Sequence, residues 1–264
     1  MSGNIHPTAV IDAAAKVAEN VRIGPYCVVG PDVEIGSGTV LGAHCVVDGR
    51  TVIGQDNTFY RFCSVGGMPQ DKKYGGEPTR LEIGDRNMFR EFVTLNTGTV
   101  QDVGVTRIGS DNWIMAYVHV AHDCQIGSHT ILANGVQMGG HVHIGDWAIV
   151  GGLAAVHQFG KVGAHAMVGG SSALHMDVPP YVMGSGNPCV PVGVNVEGLK
   201  RRGFSPEAIS ALRDAYKTLY RRGLSLDEAR AHLVQRQSED EKSAAALQVL
   251  LDFLAASTRG IIRP

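Results

Sequence analysis

Aliphatic residues recur every six positions along most of this chain. One run reads Ile5, Ile11, Val17, Ile23, Val29, Ile35, Leu41, Val47, Ile53, Phe59 and Val65, and another holds the same step from Ile108 through Val120, Ile126 and Leu132 to Val168. A period of six is neither the about 3.6 of a helix nor the plain alternation of a half-buried strand. It suits a solenoid in which each hexad supplies one short strand and one turn. Three hexads close a triangular coil of eighteen residues that rises ~4.8 Å, the spacing of strands in a sheet. Residues eighteen apart then stack, and positions one and five of each hexad point into the prism. Position five is accordingly small or branched, as at Val21, Cys27, Val33, Thr39, Cys45 and Thr51, and position two is often glycine, as at Gly24, Gly36 and Gly54. The 34 glycines among 264 residues, about 13% against a usual ~7%, are turn residues on this reading.

The stacking rule also disposes of the cysteines. Cys27, Cys45 and Cys63 lie eighteen apart at position five, and Cys124 falls there too, so they read as interior packing. With Cys189 they form no CxxC, which removes zinc-ribbon and thioredoxin-like sites. A formal charge of −2 and a pI near 6.6 exclude a general nucleic-acid binder. No apolar run approaches the ~20 residues of a membrane span, and the N-terminus lacks the pattern of a secretory signal. A cytoplasmic protein without a membrane span is expected.

Two segments interrupt the ladder. One runs from about residue 67 to 80 and is rich in charge, proline and glycine; the other spans about 98 to 106, after which the hexads resume one residue out of phase at Ile108. Long loops thrown out of a compact solenoid are commonly functional. The hexads fade after Pro179-Pro180, giving an expected solenoid domain at 1–190. Residues 191–264 read as a helical domain. Ser205 caps a helix with Pro206 at its first position, Ser225 with Glu228 and Ser238 with Glu241 form capping boxes, and Leu247, Leu250, Leu251 and Leu254 make one apolar stripe.

Chemistry concentrates at Tyr117–Cys124, which reads Tyr-Val-His-Val-Ala-His-Asp-Cys without breaking the hexad step. His122 occupies an outward position of its hexad. Asp123 lies eighteen residues before His141, so the two should pair across adjacent coils next to His122. A histidine titrating near neutral pH can take a proton from a hydroxyl, and a carboxylate beside it can orient the ring. Gly139-Gly140 offers an unhindered backbone N–H suited to an oxyanion. No serine or cysteine nucleophile motif occurs, which favours direct transfer. Single outward histidines are commonly plain surface; His119, His122, Asp123, His141 and His157 together are not so easily set aside. No two histidines stand five apart, the spacing of the zinc ligands in γ-class carbonic anhydrases, so neither metal nor cofactor is expected.

The hexads resemble the left-handed parallel β-helix of hexapeptide-repeat acyltransferases. The hand is taken from that resemblance, since chain chirality favours right-handed crossovers. Ile5-His-Pro-Thr-Ala, Gln70–Arg80, Ala121-His-Asp-Cys124, Ala155-Val-His-Gln-Phe159, Asp177-Val-Pro-Pro-Tyr181 and Val194–Phe204 are together similar to the UDP-N-acetylglucosamine O-acyltransferase family, over essentially the whole chain. That resemblance implies transfer of an (R)-3-hydroxyacyl group from acyl carrier protein to the glucosamine 3-hydroxyl of UDP-N-acetylglucosamine, the first step of lipid A biosynthesis, by a homotrimer with sites between subunits. It implies His122 as general base, Asp123 as its neighbouring carboxylate and the Gly140 N–H as oxyanion donor. Asp71, Lys73, His119, His141, His157 and Gln158 would line the sugar and acyl site. Gly170 would leave room for a longer acyl chain, and Asn195, Glu197, Arg201 and Arg202 would hold the nucleotide, arginine being suited to phosphate. Asn96 and Pro188 stand where familiar members carry histidine. The competing readings are another acyltransferase of the class, acting on an amine or a 3-amino sugar, a metalloenzyme, and a non-catalytic sugar-nucleotide-binding solenoid.

Overall fold

The computed structural model describes residues 4–239 and 241–264, with backbone alone for 239, 241 and 242. Among the described residues, three parallel sheets of nine, eight and ten strands wrap one prism, the last pair of the third sheet being antiparallel. The first face runs from Val10–Ile11 to Ala173–Leu174, the second from Lys16–Val17 to Lys161–Val162, and the third from Arg22–Ile23 to Val190–Val194. Register follows the eighteen-residue rule wherever no loop intervenes: Val28 pairs with Val46, and His119 with Gln137.

Both inward positions are buried. Ile23, Leu41, Val47, Phe59 and Val65 at position one are 0–2% exposed, and Cys27, Thr39, Cys45 and Thr51 at position five are fully buried. All five cysteines are free and buried. The Cys27 and Cys45 thiols donate to the Gly42 and Tyr60 carbonyls of the next coil. Position two must be glycine at several corners because the following coil lies against it. A Cβ on Gly36 would sit 2.6 Å from the Gly54 carbonyl oxygen.

Position four has a property that the hexad pattern does not announce: its backbone is left-handed in coil after coil. Tyr26, His44, Phe62, Phe92, Tyr117, Asp123 and His141 all have φ between 55° and 64°. Non-glycine residues adopt this region at a cost, met here by cross-coil bonds such as His44 N–H to the Pro25 carbonyl and His141 N–H to the His122 carbonyl. Side chains at these corners consequently form vertical stacks, as in Tyr26–His44–Phe62–Phe92–Tyr117 with centroids 4.8–5.2 Å apart.

Two coils lose the corner between the first and second faces. The chain leaves the prism between Ser64–Gly67 and Arg80–Ile83, and again between Thr94–Asn96 and Val105–Ile108. The corner directly above these exits is His122–Asp123.

After the strands come α1 (Val196–Arg201), α2 (Pro206–Tyr220), α3 (Leu226–Glu239) and α4 (Glu241–Ala256). Ser205 accepts from Ala208 N–H with Pro206 opening α2, and Ser225 and Glu228 bond reciprocally at the start of α3. The second expected box, Ser238 with Glu241, depends on a side chain outside the described residues; Ser238 donates to the Gln235 carbonyl. Leu247, Leu250, Leu251 and Leu254 pack with Ile209, Leu212 and Leu219 in a second core. The tail then returns to the prism, where Ile261 bridges Asp177 and Ser257 donates to the buried Asp177 carboxylate. No helix among the described residues is long and apolar enough to cross a membrane.

Candidate active site

The corner between the first and second faces carries a cavity of about 690 Å³. Its walls come from three sources: Gln70, Asp71, Lys72 and Lys73 of the first loop, Gln101 and Asp102 of the second, and His122, His141, Gln158 and Phe159 of three successive coils. The site therefore forms where the repeat is interrupted, with intact coils above as a rigid wall.

His122 Nδ1 lies 2.9 Å from Asp123 Oδ2. The carboxylate is fully buried. Thr99 N–H donates to both of its oxygens at 3.0 Å, and the Thr99 hydroxyl donates to Oδ2 at 2.6 Å. The Asp123 N–H donates to the Thr106 hydroxyl. With Thr99 donating to both oxygens, the carboxylate accepts from His122 as well, which selects the Nδ1–H tautomer and leaves Nε2 for the cavity. His122 Nε2 has no protein partner among the described residues.

Asp123 and His141 do stack as neighbours on adjacent coils, but the hydrogen bond of His141 goes elsewhere. Their closest approach is 3.9 Å, whereas His141 Nδ1 is 2.6 Å from Asp102 Oδ2. Asp123 is not on an open wall either, because the second loop folds Thr99 over it. The stack itself continues upward: His141 lies parallel on Phe159 with centroids 4.3 Å apart, and meets His122 edge-on at 4.9 Å. The eighteen-residue rule applied to His141 would have found Phe159. Nothing in the sequence pointed to Thr99 or Asp102, which sit in a loop without period.

Glycine is required at position 140 by the His122 ring. A Cβ there would stand 2.4 Å from His122 Cε1 and 2.6 Å from Nε2. Its N–H donates to no protein acceptor among the described residues, while the neighbouring Gly139 and His141 amides are both used. Gly140 itself is buried, and its backbone packs directly against the His122 ring.

The other expected residues distribute unevenly. Asp71 accepts from Lys73 N–H and shapes the first loop. His119, on the outer side of the first face, is 2.7 Å from the Thr94 hydroxyl through Nδ1; burial holds its imidazole below the ordinary value and nearby His122 adds to this. His157 Nδ1 is 3.0 Å from the Gln158 carbonyl, and of these two residues Gln158 lines the cavity. Gly170 lies beyond the opposite edge of the first face, about two and two-thirds coils higher, ~13 Å along the axis at ~4.8 Å per coil. Asn96 is buried and ties down the first loop through the Gly67 and Met68 carbonyls.

Asn195, Glu197, Arg201 and Arg202 are not brought to His122. They gather at the corner between the second and third faces. Asn195 is buried, donates to the His165 carbonyl and caps α1 by accepting from Gly198 N–H. Arg202 lies over the Trp147 ring at 5.3 Å, with a guanidinium nitrogen 3.4 Å from His165 Nδ1. Burial, then the Arg202 charge, pushes His165 down to about 4. Glu197 pairs with Lys200 in solvent.

His122, Asp123 and His141 also place three potential ligand atoms within 4.8 Å of one another. Both imidazole Nδ1 atoms face carboxylates at hydrogen-bond distance.

Comparison with known proteins agrees with this architecture. Family models match at residues 14–49 and 106–140, described as bacterial transferase hexapeptide repeats, and at 177–262, described as domain 2 of UDP-N-acetylglucosamine O-acyltransferase. The acyl-[acyl-carrier-protein]–UDP-N-acetylglucosamine O-acyltransferase of Thiobacillus denitrificans is 61% identical over 98% of this chain and 99% of its own. That of Herminiimonas arsenicoxydans is 55% identical over the same shares. Among solved structures, LpxA from Acinetobacter baumannii superposes with a TM-score of 0.94 at 50% identity, covering 98% of this chain and 100% of that one. The Francisella novicida UDP-N-acetylglucosamine acyltransferase gives 0.95 at 42%, with 98% and 94% covered. The solenoid is thus a left-handed parallel β-helix. With full-length relatives at this identity and an imidazole–carboxylate pair opening on the interrupted corner, the chain belongs to the acyl-[acyl-carrier-protein]–UDP-N-acetylglucosamine O-acyltransferase family of hexapeptide-repeat enzymes.

Proposed function

We propose that this chain transfers an (R)-3-hydroxyacyl group from acyl carrier protein to the glucosamine 3-hydroxyl of UDP-N-acetylglucosamine, opening lipid A synthesis in the cytoplasm. The observation that carries the mechanism is the His122–Asp123 pair, whose ring lines a cavity and packs against the Gly140 backbone. His122 Nε2 takes the proton of the sugar hydroxyl as its oxygen attacks the thioester carbonyl. The tetrahedral oxyanion is held by Gly140 N–H. Collapse breaks the carbon–sulfur bond, and the imidazolium returns its proton to the departing thiolate of the carrier. Asp123 stabilises the imidazolium formed in between. A covalent acyl-enzyme is disfavoured: the nearest thiol, Cys124, is buried, donates to the Gly139 carbonyl and is pushed up to about 12 by burial.

The separation of the nucleotide residues from His122 supports a homotrimer in which neighbouring subunits complete each site. Residues 1–190 would supply the base and the acyl groove of one subunit, and 191–264 of its neighbour the nucleotide clamp, with Arg202 toward the diphosphate. Basic Arg201 and Arg221–Arg222 suit the acidic carrier.

The test is kinetic. His122→Ala should lower turnover roughly 10³-fold with folding intact. Mixed oligomers of His122→Ala and Arg202→Ala subunits should regain activity that neither parent has. Turnover within about tenfold of wild type in His122→Ala would defeat the base assignment. A mixture no more active than its parents would defeat the shared site.

A further inference from the structure

Asp102 stands near the tip of the second loop, reached by no repeat and by no motif. Its Oδ2 is 2.6 Å from His141 Nδ1, at the short end for a hydrogen bond to a carboxylate. The two side chains are 39% and 11% exposed, so the bond closes the loop onto the wall of the cavity. His141 is fixed on its other sides as well: one ring face lies on Phe159, and the His122 ring abuts it at 89°. Asp123 is too far to bond it, at 3.9 Å. His141 Nε2 has no protein partner among the described residues.

The site therefore contains two imidazole–carboxylate pairs set at right angles, and they are built differently. Asp123 belongs to a coil and is saturated by Thr99 and His122. Asp102 belongs to an extruded loop, and among the described residues its carboxylate has His141 as hydrogen-bond partner. A neutral imidazole carries its proton on either nitrogen, and a carboxylate at Nδ1 selects the Nδ1–H form. The remaining lone pair, on Nε2, then accepts and does not donate. A cavity-lining acceptor beside the base suits a hydroxyl, of which the sugar offers several next to the one that His122 must reach, while the acyl group offers one, two carbons from its reacting carbonyl.

We propose that Asp102 is a positioning residue for the transfer reaction: it fixes His141 in the Nδ1–H tautomer so that Nε2 accepts a hydrogen bond from a hydroxyl of the acceptor sugar. The proposal rests on the sugar-nucleotide reading above. The lost contact belongs to one substrate, so the effect is selective. Asp102→Ala raises KM for the sugar nucleotide about fivefold to tenfold, the scale of one neutral hydrogen bond, and leaves KM for the acyl carrier within about twofold. Asp102→Asn, whose amide oxygen still accepts from Nδ1–H, recovers most of the loss.

The experiment measures both KM values and kcat for wild type, Asp102→Ala and Asp102→Asn, together with the ¹⁵N spectrum of His141 in each oligomer. Nδ1–H is expected in wild type and Asp102→Asn, and a tautomer mixture in Asp102→Ala. An unchanged sugar-nucleotide KM in Asp102→Ala, equal losses in Ala and Asn variants, or equal effects on both substrates would overturn the proposal. If wild type fails to use UDP-N-acetylglucosamine at all, the function reading falls. The nitrogen spectrum then still decides whether Asp102 sets the His141 tautomer, and a mixture in wild type overturns that too.

Discussion

Gly140→Ala is the sharpest perturbation available, because it replaces no functional side chain and keeps the backbone N–H. The added methyl would lie 2.4 Å from His122 Cε1 and 2.6 Å from Nε2. Ordinary carbon–carbon contact begins near ~3.5 Å, so the ring must retreat by about 1 Å or swing into the cavity. Its bond to Asp123, now 2.9 Å, does not survive a displacement of that size. The stability cost is bounded by that one hydrogen bond to a charged group, about 1.5–3 kcal/mol, because His122 borders a cavity and has somewhere to go. The catalytic cost is larger. Misplacing a reacting group by about 1 Å costs on the order of 10²-fold in rate, and the whole general-base contribution is about 10²–10⁴-fold. Steady-state transfer should fall at least 10²-fold in kcat, while thermal unfolding stays cooperative. The double variant Gly140→Ala/His122→Ala should be no slower than His122→Ala alone, since the methyl acts only through the ring. A single variant within roughly threefold of wild-type kcat, less than 1 kcal/mol in barrier, would refute the reasoning. So would full additivity in the double variant.

Other consequences are more local. Lowering His165 to about 4 from its ordinary 6.5 means that the unfolded chain binds a proton there which the folded chain refuses. This contribution to stability is present above pH 6.5 and is lost as pH falls toward about 4. His165→Phe, which keeps the stack between Trp147 and Tyr181, should lose less stability than wild type between pH 7 and pH 5 in urea unfolding; equal losses would contradict it. At Gly170 a Cβ would meet the Gly152 carbonyl oxygen at 3.2 Å and Gly152 N at 3.9 Å, a tight approach to backbone that a larger side chain fits once Gly152 gives by a few tenths of an ångström. Gly170→Met should shift the preferred acyl chain to a shorter one in competition between carrier substrates, and an unchanged product distribution would count against a length-setting role.

The sequence carried the prism because packing into a narrow core admits few residue types. Ile23, Cys27 and Val29 can be assigned inward from their period alone, and each is buried. His122 was legible for the complementary reason: an imidazole that keeps hexad step without facing inward must face something else. Three things were hidden. The left-handed backbone at position four leaves no mark in the apolar pattern, yet it turns Asp123, His141 and Phe159 into one stack. The partner of each histidine was decided by loop closure, which has no period to read: Thr99 came to cover Asp123, and Asp102 came to His141. The distance between His122 and the Asn195–Arg202 segment could not be read from either motif, because it depends on which corner of the triangle each one occupies. These three share one cause. A solenoid repeats its interior strictly and its corners loosely, so a pattern read from the interior locates the site and leaves its proton partners to the loops that interrupt it.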